Sequence, residues 1–245
     1  MDSNQELQER AEGLFNRAKA VTLKPAETWP VIAKETDAPM QVFLRYAVPL
    51  AAIGPIASFI GGQLFGYGMF GISWKPTFLG GLSQAITAYV LTLASLWLIA
   101  WVANFLSPKF GGKDDFSSAF RLAAYSMTAA WIVGIFGIVP ALSILGLLGL
   151  YSLYLFYKGA SPMMDVPQDK ATGYTVVTVV VAIVANIVIG MIAAAITGPA
   201  QMPNMAGDGY SSGDTTIQID SETGRATINV DGEEMSIQVP VEEEE

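Results

Sequence analysis

From Leu122 to Tyr157 the sequence runs for 36 residues without an Asp, Glu, Lys or Arg. Coiled as an α-helix at about 1.5 Å per residue, that stretch would reach about 54 Å, against about 30 Å for the hydrocarbon core of a bilayer. It therefore reads as two crossings, divided at Pro140. Similar apolar stretches recur from Phe43 to Thr197, and five spans are expected, over 43–65, 78–106, 118–136, 140–157 and 173–197. The last is rich in Val and Ile, yet a helix is still expected, because an isolated strand in lipid leaves its backbone groups unpaired. Charged residues make up 14% of the chain, against about 25% in a soluble domain.

Polar segments flank the membrane region. Residues 1–42 read as cytosolic amphipathic helices. Leu7, Ala11, Leu14, Phe15, Ala18 and Val21 fall on one face at a helical period, with Glu6, Glu9, Arg10, Glu12 and Arg17 opposite. The mixed charge of that polar face favours a helix packed on its own domain over one lying in lipid. Pro25 suits a first helical turn, and Pro30 either bends that helix or starts another. The first 20 residues hold no apolar run, so the first span is expected to act as its own insertion signal. Residues 198–214 read as a linker of Gly, Pro, Asn and Ser. Beyond it the apolar period drops to two, in Thr216–Asp220, Ala226–Val230 and Met235–Val239, with turn residues between. The expected fold class is an all-α polytopic membrane protein of five transmembrane helices, with a small C-terminal antiparallel β meander over 215–245 outside the membrane.

Charge gives an orientation. Arg10, Arg17, Lys19, Lys24, Lys34 and Arg45 precede or open the first span; Lys109, Lys113 and Arg121 flank the loop into the third; Lys158 and Lys170 lie before the fifth. With five spans these share one side, opposite Lys75 and Arg225. Basic residues are retained in the cytoplasm. The N-terminus is thus expected inside and the C-terminus outside, in a bacterial inner membrane. The segment from Gly198 onward has eleven acids and one base, Arg225. That argues against nucleic acid, which needs a clustered basic surface.

The chain contains no Cys and no His, which removes thiol and imidazole catalysis and the usual zinc ligands. No cofactor or metal is expected. The span centres carry no charge, whereas ion-coupled transporters usually place one there. Candidate polar groups inside the membrane are Gln84, Ser126 and Asn186, beside Thr87, Thr92, Ser95 and Thr128. Bonding between helices is the favoured reading for them, and a solute lining the other. Trp29, Arg45 and Arg121 are candidates for the membrane interface, Arg121 by snorkelling from the third span. Gly111-Gly112-Lys113 lacks the spacing of a phosphate loop. Asp114-Asp115 and Asp165 with Asp169 read as solvated loop charge.

Several ordered segments resemble a known family. They are Lys24-Pro25-x-x-Thr28-Trp29-x-x-Ile32-x-x-Glu35, Arg45-Tyr46-Ala47-x-Pro49, Phe116-x-x-Ala119-Phe120-Arg121-Leu122-x-Ala124-Tyr125-Ser126, Tyr151-Ser152-Leu153-Tyr154-Leu155-x-Tyr157-x-Gly159 with Pro162-Met163-Met164, and Pro167-x-x-Lys170-Ala171-x-x-Tyr174. Over about residues 20–197 the chain resembles the Yip family, the Ypt/Rab-interacting integral membrane proteins, and in particular its bacterial members. It departs at Ala129-Ala130-Trp131, just before which the family carries a proline. The resemblance implies five membrane helices, a cytosolic N-terminus and no catalytic residues. The family's link to vesicle traffic and small GTPases does not carry over to a bacterial member.

The expected function is that of a non-enzymatic integral membrane protein that organises or recruits partners at the membrane. Its expected partners are the lipid bilayer and a second copy or another membrane protein. The alternative is a small-solute transporter or channel, motivated by the polar groups in the second, third and fifth spans.

Overall fold

A computed structural model describes residues 3–69, 72–197, 210–212, 215–220, 225–230 and 233–238. Helices α1 (Ser3–Leu23) and α2 (Pro25–Ile32) form an N-terminal pair. Pro25 opens α2, where no N–H is missed. The Thr28 hydroxyl donates to the carbonyls of Lys24 and Ala20 at 2.8 and 3.0 Å, tying the two helices together. Pro30 lies inside α2, which ends two residues later.

The first span is built from α3 (Pro39–Val42), a π-helical turn (Phe43–Ala47), α4 (Val48–Ala51) and α5 (Ile53–Phe65). Pro49 explains the widened turn: it has no N–H to give the carbonyl four residues back, and its ring crowds that carbonyl. The Val48 N–H bonds Phe43 instead. Gly66, at φ 72°, ends α5 and leads into a short hairpin, β1 (Tyr67–Met69) and β2 (Ile72–Trp74). Helix α6 (Phe78–Leu106) is capped by the Thr77 hydroxyl, and a 3-10 turn closes it at Gly111, φ 84°.

Helix α7 (Phe116–Ser126) stands at the centre of the body; Ser118 through Ser126 are all buried. A turn at Met127 leads to α8 (Thr128–Val133), so the third span bends near the departure from the family pattern without a proline there. The span ends in 3-10 helix at Gly134–Ile138, and Val139 turns the chain back. After a second 3-10 run, α9 (Tyr151–Met164) packs on α7, and α10 (Gln168–Thr197) packs on α9 and α6. Gly159 is where three elements meet: a Cβ there would lie 2.5 Å from Leu122 Cδ1 and 2.7 Å from the Trp29 indole. Only glycine lets α2, α7 and α9 approach this closely.

The expected fold class needs two corrections. Among the described residues four helices, not five, are long and apolar enough to cross a membrane: Pro39–Phe65, Phe78–Phe110, Phe116–Ile138 and Gln168–Ile187. The expected span at 140–157 is a composite return leg. Its first eleven residues, Pro140–Leu150, are 3-10 helix, reaching about 22 Å at about 2.0 Å per residue, and its remainder is the start of α9. The leg brings the chain back beside its earlier loop, where the Lys113 N–H donates to Met164 O at 2.8 Å. Hydropathy registers how apolar a segment is and says nothing of its helical pitch.

The second correction concerns the tail. Beyond α10 the described backbone forms short antiparallel ladders over β3 (Tyr210–Ser212), β4 (Thr215–Asp220), β5 (Arg225–Val230) and β6 (Glu233–Gln238). The expected C-terminal meander is not seen in the interpretable part of the chain, and almost all side chains of these strands lie outside the described residues. Short strands form a stable sheet only where a hydrophobic face is covered, and the interpretable body of the protein is helical.

Candidate functional site

A polar rail runs along α7. It starts at Asp115, whose carboxylate caps the helix by accepting from the N–H groups of Ser117 and Ser118 at 3.0 and 3.2 Å. Burial pushes the Asp115 carboxyl up, but the bonds from Ser118 and Ser117 and the charge of Lys113 outweigh it and hold the group below its usual value. Lys113 also bridges to Asp165, at 3.5 Å. The Ser118 hydroxyl donates to Asp115 Oδ2 at 2.6 Å and accepts from Arg121 Nη2 at 3.1 Å.

Arg121 then reaches across to the N-terminal pair, donating through Nη1 to the carbonyl of Glu35. The Glu35 carboxylate pairs with Arg17 of α1. Arg17 in turn lies over the Tyr125 ring, 5.7 Å from its centroid. Tyr125 meets the edge of Tyr46 at 4.6 Å between ring centres. Tyr46 donates to Thr128 Oγ1 at 2.7 Å, because Thr128 spends its own proton on Tyr125 O at 2.6 Å. The rail thus links α1, the loop after α2, the π-turn and α7. A buried guanidinium is costly unless it is bonded, and here the bonds of Arg121 fasten the N-terminal helices to the bundle.

Beside the rail, α1 and the start of the first span border an open cavity of about 780 Å³, lined among others by Leu14, Arg17, Asp37, Arg45 and Tyr125. Nothing in it pairs a nucleophile with a base. Among the described residues no group of three or more His, Cys, Asp or Glu side chains comes together to hold a metal ion.

The residues singled out from sequence fall in separate places. Asn186 on α10 accepts a bond from Ser95 on α6, and its amide donates to Ala182 O at 2.8 Å. Gln84 is exposed on α6. Ser126 is buried at the end of α7, its hydroxyl unpartnered among the described residues. No described hydrogen bond joins these three. Trp29 is 1% exposed, in the core rather than at a surface. Arg121 is 4% exposed and turned inward. Arg45 is exposed on the π-turn and lines the cavity.

Sequence reasoning missed Arg17, Glu35, Tyr46 and Thr128 as members of one network. The available signal was that Arg17 borders the apolar stripe of α1 and that Glu35 closes a family-like segment. Their meeting depends on how α1 folds back.

The sequence model of the Yip1 domain matches residues 19–189, a stretch that holds the rail apart from Arg17, the first three spans, the return leg and most of α10. No curated protein and no solved structure gives a match. With four apolar helices of membrane-spanning length and a match over well more than half of its residues, the chain belongs to the Yip1-domain family and is an integral membrane protein.

Proposed function

We propose that the protein is a non-enzymatic membrane scaffold that recruits a partner protein through its N-terminal helices, on the cytoplasmic face of a bacterial inner membrane. The observation that carries this reading is the outer surface of the docked pair α1 and α2. Phe15, Leu23 and Val31 remain 64%, 68% and 57% exposed there, while Ala18, Val21, Trp29 and Ile32 are buried on the inner side. Apolar side chains held outward on an anchored polar platform are what a protein partner buries at the centre of an interface. The abundance of Arg and Lys before and at the start of the first span supports a cytoplasmic location for this platform. The bond between Ser95 and Asn186 favours this reading over a transporter, since the most central polar group of α10 is spent on helix packing.

A photo-crosslinking residue at Phe15 or Leu23, introduced into the full chain in native membranes, tests it. The expected result is one discrete crosslinked species, lost in Phe15→Glu. The absence of a protein adduct at both positions, with lipid adducts alone, would remove the reading.

A further inference from the structure

The cavity beside the rail plays no part in recruitment through the outer face of α1. Its charges divide into two kinds. Arg17 is engaged, by Glu35 and by the face of Tyr125. Arg45 and Asp37 are not: no ion pair or hydrogen bond among the described residues occupies either. Among the described residues the cavity therefore presents a ligand with an unpaired cation, Arg45, and an unpaired anion, Asp37.

Its walls say what else the ligand carries. Arg45 sits less than two turns into the apolar helix Pro39–Phe65, where lipid headgroups meet a span. Leu44, 58% exposed, and the exposed Pro49 form the lip on the outer side of that span. A molecule seated here has its polar end between the two charges and an apolar end leaving into lipid.

Gly13 supplies an independent observation. It lies inside the 21-residue α1 and lines the cavity. Glycine weakens a helix interior, and close packing does not call for it, because a Cβ at this position would meet nothing within 4 Å. What the missing side chain leaves is open space in the cavity.

We propose that this cavity binds the headgroup of a zwitterionic aminophospholipid, with its phosphate on the Arg45 guanidinium, its ammonium at Asp37 and an acyl chain leaving over Leu44 and Pro49. Guanidinium and phosphate match in geometry as well as charge. A purely anionic headgroup would satisfy Arg45 but leave Asp37 facing like charge.

Native mass spectrometry of the full chain in detergent, titrated with phosphatidylethanolamine, phosphatidylglycerol or soluble phosphoethanolamine, tests this. Phosphatidylethanolamine should bind about tenfold more tightly than phosphatidylglycerol, one charge pair being worth about that factor. Soluble phosphoethanolamine, lacking chains, should not bind measurably. Asp37→Asn should erase the preference between the two lipids, and Arg45→Gln should weaken both. Gly13→Trp should displace the lipid by placing an indole in the space its headgroup takes, with helicity and elution volume unchanged. Equal binding of both lipids to the unaltered protein, retention of lipid by Gly13→Trp, or soluble phosphoethanolamine binding as well as the lipid would each overturn the proposal.

Discussion

Gly159→Ala places a methyl group where α2, α7 and α9 converge. The new Cβ would stand 2.5 Å from Leu122 Cδ1 and 2.7 and 2.8 Å from two carbons of the Trp29 indole. The leucine methyl can swing aside; the indole is 1% exposed and has nowhere to go. Overpacking of this kind costs about 1–3 kcal/mol, and alanine in a helix returns about 0.5–1 of it. A net loss of about 1–2 kcal/mol is expected. Trp29→Ala alone should cost more, about 3–5 kcal/mol, by emptying a packed site. With the indole gone the Leu122 methyl can give way into the space it leaves, so Gly159→Ala in that background should be close to neutral. The two changes should therefore couple by about 1–2 kcal/mol. Unfolding in mixed micelles with a denaturing detergent measures the four species, and limited proteolysis within residues 33–38 reports release of the N-terminal pair. Equal cost of Gly159→Ala in both backgrounds would refute the view that the indole sets the glycine requirement.

Two further outcomes follow from the polar contacts. Asp115→Ala should destabilise by about 1 kcal/mol, through loss of the α7 cap. Because the folded Asp115 carboxyl is held below its usual value, the gap to the unaltered protein should be constant above the unfolded carboxyl's value of about 3.9 and shrink as pH falls through the lower folded one; thermal unfolding from pH 6 to pH 2.5 checks it. Asn186→Leu should cost about 0.6–2 kcal/mol by freeing Ser95, read in the same micelle assay, and an unchanged stability would mean that the interhelical bond contributes nothing.

The places of spans one, two and three were legible because each is a long apolar stretch bounded by Pro, Gly or charge; α6 occupies 78–106 as expected, while the first span starts at Pro39 and the third runs over Phe116–Ile138. The return leg was not legible as 3-10 helix. Pro140-Ala-Leu-Ser-Ile-Leu-Gly-Leu-Leu-Gly-Leu150 is as apolar as an α-helical span, and only its packing against α8, with Gly149 close to Ala130, distinguishes it. The packing of Trp29 against Gly159 was not legible for a related reason. An aromatic beside prolines ahead of a span fits the headgroup layer equally well, and nothing local announces Gly159 across the bundle. Asn186 accepts a bond from Ser95 on another helix, a pairing that the sequence does not specify. Arg121 reads from sequence as a residue at a span end; its inward turn follows from Glu35, 86 positions away.

The sequence alone determined the solvent. Uncharged stretches of that length have no stable place in water, and their backbones must pair internally, so helices in lipid follow from composition and order. Tertiary structure decided which polar groups are surface and which are fastenings. A buried guanidinium is tolerable only beside specific acceptors; Ser118 stands one turn away on α7, but Glu35 is brought to Arg121 by the docking of two helices that hydropathy sees only as a polar leader. The same docking places Arg45 and Asp37, unpaired among the described residues, on one cavity with α1, a juxtaposition that no spacing in the chain encodes.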